Sequence, residues 1–195
     1  MRALAIAMLT IVAGCASREV YELSSNDSWA AYASSCAGPL GTYERRLGDG
    51  VALLLHPRWE DGVSRVGLLF QLEPGRTLQL TSPNIEIVAP DGLKRTYALD
   101  RLRSGLQSDI SFLRPYNVPF VDYEATSMLT GTERFAKVPP PIGPRDRYET
   151  SIPIGNGRVS KFSLQLPSIR SNGFVQTLQP VTFEYRQVSY VKCLQ

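Results

Sequence analysis

Apolar and polar residues alternate in three stretches of the chain: Val66, Leu68, Phe70 and Leu72; Phe162, Leu164 and Leu166; and Val181, Phe183 and Tyr185. A period of two puts one set of side chains on one face of a strand, so each stretch predicts a strand with one face on a core. The run Ala52-Leu53-Leu54-Leu55 lacks polar alternates and predicts a strand buried on both sides. Turn-forming sequences punctuate the chain from residue 48 onward, at Gly48-Asp49-Gly50, Asp61-Gly62, Pro74-Gly75, Asp91-Gly92, Gly155-Asn156-Gly157 and Asn172-Gly173. Between them lie predicted strands at 51–56, 63–73, 76–80, 84–88, 94–99, 148–154, 159–166 and 181–193, with Gly155-Asn156-Gly157 read as a hairpin turn. Many short strands separated by turns predict a mainly β protein, an antiparallel β-sandwich, immunoglobulin-like or related, with little helix.

Three segments depart from that pattern. Residues 15–27 are polar without sustained periodicity and predict a flexible tether. Trp29-Ala30-Ala31-Tyr32-Ala33 has fair helix propensity and could be capped by Asp27 or Ser28, which predicts one short helix ending by Gly38-Pro39. The stretch from about 100 to 147, with Arg114-Pro115-Tyr116-Asn117-Val118-Pro119 and then Val138-Pro139-Pro140-Pro141-Ile142-Gly143-Pro144, predicts a long irregular insertion. Its proline run favours extended polyproline II, as a stiff connector or as a ligand for an aromatic groove. The predicted organisation is therefore 1–14, 15–27, and a single domain over 28–195.

The first fourteen residues carry a charged start at Met1-Arg2, an apolar run from Ala3 to Val12, and the small residues Ala13-Gly14, the layout of a secretory signal. A run of about ten apolar residues is half of the roughly 20 that a stable membrane-spanning helix needs. Val12-Ala13-Gly14-Cys15 resembles the lipobox of bacterial lipoproteins. The resemblance covers these four residues and the signal before them. It implies cleavage before Cys15, a diacylglyceryl group on the Cys15 thiol, and often an acyl chain on the freed amine. Each buried methylene contributes about 0.8 kcal/mol, and two or three chains make attachment durable where one is reversible. Ala16 after the cysteine, where Asp favours inner-membrane retention in that family, leans toward an outer membrane facing the periplasm. The other reading is an ordinary signal peptide cut after Cys15, near Ala16.

Removing 14 of the 195 residues leaves 181, enough for one domain with its own core. The formal charge of +3 becomes +2 without Arg2, with both signs interspersed, so nothing marks a nucleic-acid surface. The clusters Arg101-Leu102-Arg103 and Arg145-Asp146-Arg147 read as solvated loop charges. With Cys15 assigned to lipid, Cys36 and Cys193 remain, and in an oxidising compartment they are expected to form a disulfide. A loop this long is worth about 5 kcal/mol in the chain-entropy model. Buried thiols or a metal pair are the competing readings, and a single histidine in the chain argues against zinc.

Catalysis finds little to work with. His56, the one histidine, precedes Pro57 and no Gly-x-Ser-x-Gly elbow occurs, which favours a structural or surface His56 over a catalytic one. Asp109, Asp122, Glu124 and Glu133 are the carboxylates of the insertion, and Asp122 and Glu124 would share a strand face. Gly155-Asn156-Gly157-Arg158 lacks the glycine and helix of a phosphate-binding loop. Tyr116, Phe120, Tyr123 and Phe135 supply either an aromatic binding surface or core. No catalytic residue, metal or cofactor is expected. The expectation is a non-enzymatic binding or scaffolding lipoprotein of the envelope, held on the membrane through lipid on Cys15 and engaging an envelope protein. A carrier of lipid or a small apolar ligand between the sheets is the alternative, and a carboxylate-dependent envelope hydrolase ranks below it.

Overall fold

A computed structural model describes residues 15–24, 28–34, 38–104, 121–132 and 146–191. Among these residues all regular structure is β, and every pairing between strands is antiparallel. One sheet runs β1 (Cys15–Leu23), β16 (Val181–Val191), β13 (Lys161–Gln165), β7 (Asn84–Val88) and β8 (Lys94–Ala98). A larger sheet runs β10 (Val121–Glu124), β9 (Arg101–Ser104), β12 (Asp146–Asn156), β5 (Val63–Leu72), β4 (Val51–Glu60), β3 (Gly38–Gly48) and β2 (Ala30–Ser34). A small third sheet joins β11 (Leu129–Thr130), β6 (Thr77–Leu80), β14 (Ile169–Ser171) and β15 (Phe174–Gln176).

The two larger sheets pack face to face as a sandwich. Phe162, Leu164, Val181 and Phe183 meet Leu53, Leu55, Val66, Leu68 and Phe70 in one core, all nearly or fully buried. The predicted alternation is the inner face of these strands, because a strand residue and the one two further on point the same way. Tyr43 and Phe183 bridge the sheets with ring centroids 5.7 Å apart. The 52–55 run is buried on both sides as predicted: Leu53 and Leu55 face the core, while Ala52 and Leu54 on the outer face are 6% and 8% exposed.

The β4–β5 hairpin turns at Asp61-Gly62, both with positive φ, the left-handed pair that matches strand twist. β4 continues four residues beyond its predicted end, through Pro57. In this hairpin Glu60 pairs with Val63, so the backbone N of Pro57 points away from β5 toward β3. The β3 register ends at Tyr43 opposite Leu55, so the missing N–H of Pro57 costs no ladder bond.

Four expectations are corrected. The tether does not begin at residue 15: β1 pairs with β16 along its whole length, from Cys15 opposite Val191 to Leu23 opposite Phe183. Burial of Tyr21 in the core, with Val20 buried on the opposite face beside Gly41, outweighs the polar composition of the segment. Residues 30–34 form β2 rather than a helix, because pairing with β3 overrides the helix propensity of alanine. Gly155-Asn156-Gly157 is a crossover and not a hairpin, since β12 and β13 belong to different sheets. A register shift between Pro153 and Gly155 bulges β12, pairing with β5 resumes at Gly155 opposite Ser64 and Asn156 opposite Val63, and the chain leaves the ladder after the Gly157 N–Gly62 O bond. The 100–147 stretch holds β9, β10 and β11 and so is not irregular throughout. Its proline-rich parts, 114–119 and 138–144, lie outside the described residues, as do the signal segment 1–14, Cys36 and Cys193.

Candidate functional site

Across the outer face of the seven-stranded sheet, facing away from the core, the register lines up side chains from strand to strand. One row runs Leu54, Leu69, Glu149, Arg103, Asp122 across β4, β5, β12, β9 and β10. The next runs His56, Gly67, Ser151. Gly67 has no side chain, so the second row carries a gap between His56 and Ser151. The result is an open groove of about 560 Å³ whose lining includes Leu54, His56, Gly67, Arg103, Glu149 and Ser151. At a spacing of about 4.8 Å per strand, a groove from β3 to β10 spans roughly 24 Å.

One end of the groove is a charged array. Arg103 Nε lies 3.2 Å from Asp122 Oδ1, and Arg101 Nη1 lies 3.9 Å from Asp122 Oδ2. These arginines stand on β9, with Leu102 between them in the core, and not on a loop as expected. Asp122 is thus charge-paired, and Glu124 is opposite Arg101 in the register. Asp109 and Glu133 lie outside the described residues. Asp146, read as a solvated charge, is buried and accepts hydrogen bonds from the backbone N and hydroxyl of Thr132.

At the other end, His56 Nδ1 is 2.7 Å from Thr42 Oγ1. Burial holds the imidazole below its ordinary pKa, and the positive charges of Arg58 and Arg18 push the same way against weaker opposition from Gly41 and Glu60. These influences favour the neutral imidazole. His56 and Arg58 also line a smaller cavity of about 220 Å³ with Arg18, Tyr21, Trp59 and Tyr185, so the groove ends beside β1, the strand described from Cys15.

A dense set of contacts bolts that strand to the sandwich. The Arg158 guanidinium lies between the rings of Trp59 and Tyr185, 4.6 and 4.7 Å from their centroids, and donates to both Glu19 carboxylate oxygens at 3.2 and 3.0 Å. The buried Tyr21 hydroxyl donates to the Val159 carbonyl at 2.9 Å and lies 2.8 Å from Ser64 Oγ, which donates to the Gly157 carbonyl. Tyr43 in turn donates to the Tyr21 carbonyl at 2.8 Å. These contacts join β1 to β3, β5 and the β12–β13 crossover.

Of the aromatics proposed for a binding surface, Tyr123 packs edge-on against the buried Tyr148 at 5.3 Å, and Tyr116, Phe120 and Phe135 lie outside the described residues. Among the described residues no group of three His, Cys, Asp or Glu is placed to hold a metal ion, and no helix is long and apolar enough to cross a membrane. Sequence reasoning missed the groove because its lining comes from six strands. The one local signal was Gly67, which interrupts the outward positions of an otherwise regular strand. No protein-family model matches the chain, and no curated protein is significantly similar to it.

Proposed function

We propose that this protein is a lipid-anchored lipoprotein of the bacterial cell envelope, held through Cys15 on the periplasmic side of the outer membrane, with a non-enzymatic binding or scaffolding role. The observation that carries the reading is placement: the strand described from Cys15 is part of the sandwich and adjoins the end of an open groove. A lipid on Cys15 then holds a binding face at short range from the bilayer rather than at the end of a loose linker. The interior lends the ligand-carrier alternative no support, since Phe70, Phe162 and Phe183 fill the space between the sheets. The hydrolase alternative likewise gains nothing from Asp122, whose carboxylate is committed to two arginines.

Two measurements test the reading. Fatty-acid labelling of the wild type and its loss in Cys15→Ala test the anchor. A photo-crosslinking residue at Ser151, inside the groove, is compared in intact cells with one at Thr96 on the exposed edge strand β8. The expected result is an envelope protein captured from Ser151 and not from Thr96. Identical products from the two sites would remove the groove from the proposal.

A further inference from the structure

The corner where the groove meets β1 gathers positive charge from two strands. Arg18 on β1 and Arg58 on β4 line the cavity that contains His56. Of the acidic residues nearby, Glu19 is held by both terminal nitrogens of Arg158, outside the corner, while Glu60 pairs with Arg58 itself. Glu60 lies 2.9 Å from Arg58 Nε, yet that N–H has no aligned acceptor. Arg18 has no ion-pair partner among the described residues. Arg65 on β5 stands directly opposite Arg58 in the register and adds to the same field, while Glu149 sits across the groove on β12.

We propose that this corner, formed by Arg18, His56 and Arg58, is an anion site that takes a phosphate group, supplied by the headgroups of the membrane that carries the protein. The lipid source rests on the reading that Cys15 is acylated. Arg18 is three residues from Cys15 on a paired strand, about 10 Å at 3.3 Å per residue; a headgroup layer is about 5–7 Å deep on each side, and the long arginine side chain spans the few ångströms that remain. Arginine forks suit phosphate oxygens, and positive charge near a bilayer draws anionic lipid. Trp59, 46% exposed, borders the same cavity and is the kind of side chain that settles at a membrane interface.

His56 is the one histidine in the chain, so it reports on the corner without interference. An anion bound beside it favours the imidazolium and raises its pKa, by about one unit for a charge within a few ångströms. The experiment follows the ring protons of His56 by NMR across pH, in the full mature lipidated protein in nanodiscs. Discs of phosphatidylcholine alone are compared with discs containing phosphatidylglycerol, and inorganic phosphate is titrated into the former. Intact mass beforehand establishes acylation, so a missing lipid is separated from a missing site.

The expected result is a rise of about one unit with phosphatidylglycerol, abolished in Arg18→Gln and in the Arg18→Gln/Arg58→Gln pair and kept in Arg46→Gln, a remote exposed arginine. Arg18 is exposed, so its replacement leaves the fold intact. A rise with inorganic phosphate alone overturns the lipid source and supports the anion site. No rise with either, or the same rise without the two arginines, overturns the proposal.

Discussion

Tyr21 decides whether the segment after Cys15 is a strand of the domain or a leash. Its side chain is 2% exposed, packs edge-on against Phe162 at 5.5 Å and Tyr185 at 5.2 Å, and its hydroxyl donates to the Val159 carbonyl. Tyr21→Phe removes only the hydroxyl. Ser64 Oγ still accepts from Val159 N and donates to Gly157 O, so the Val159 carbonyl alone loses a donor, and the cost is about 1 kcal/mol. Tyr21→Ala also removes the ring and leaves a cavity between the sheets, for a total of about 3–5 kcal/mol. For a domain of this size 1 kcal/mol moves Tm by about 2–4 °C, so the two variants should melt roughly 3 °C and 10 °C below wild type. Urea unfolding followed by far-UV circular dichroism gives both values, with unchanged slopes showing that the unfolded state is unaltered. Both variants within about 0.3 kcal/mol of wild type would refute docking of β1 and return residues 15–24 to a tether.

Three further predictions concern other parts of the molecule. Because the folded state holds His56 below its unfolded pKa, the unfolded chain binds more protons beneath about pH 6.5, and stability falls as pH drops through that value. His56→Gln should flatten this slope between pH 7 and 5.5 in paired urea titrations, and an unchanged slope would assign it to carboxylates. Gly131→Ala drives a Cβ into the Glu73 carbonyl oxygen and Leu72, where backbone must move, so a loss of more than about 2 kcal/mol is expected from chemical denaturation. Phe174→Ser, at a side chain 76% exposed on β15, should change stability by less than about 0.5 kcal/mol, and a larger loss would mean that the residue packs on the core.

The strands legible in the sequence are those whose burial is one-sided and whose ends carry turn residues. Asn84–Val88 coincides with its prediction, and β5, β6 and β8 differ from theirs by a residue at one end. Period-two alternation is a local property, so Val66, Leu68 and Phe70 announce a buried face whatever lies across from it. Strands β1, β2, β9 and β10 sit at or next to sheet edges, where one side is solvated and polar residues are admitted, and their periodicity is correspondingly faint. The β12–β13 link shows the same limit: a Gly-Asn-Gly sequence permits a tight turn, while the choice between hairpin and crossover belongs to the bulge at Pro153/Gly155 and the Gly157–Gly62 bond.

The sequence by itself determined the β character of the domain, the double burial of residues 52–55, and the expectation of a lipid at Cys15. Tertiary structure decided what those features mean together. It took the polar segment after Cys15 into the sheet, because Tyr21 found a core to bury in and Val20 a place against Gly41. It brought Arg18, His56 and Arg58 into one corner although they are nearly forty residues apart in part of that set, and it aligned His56, Gly67 and Ser151 into a groove. Burial patterns repeat along the chain and can be read there, whereas a site made across strands exists only once the register is set.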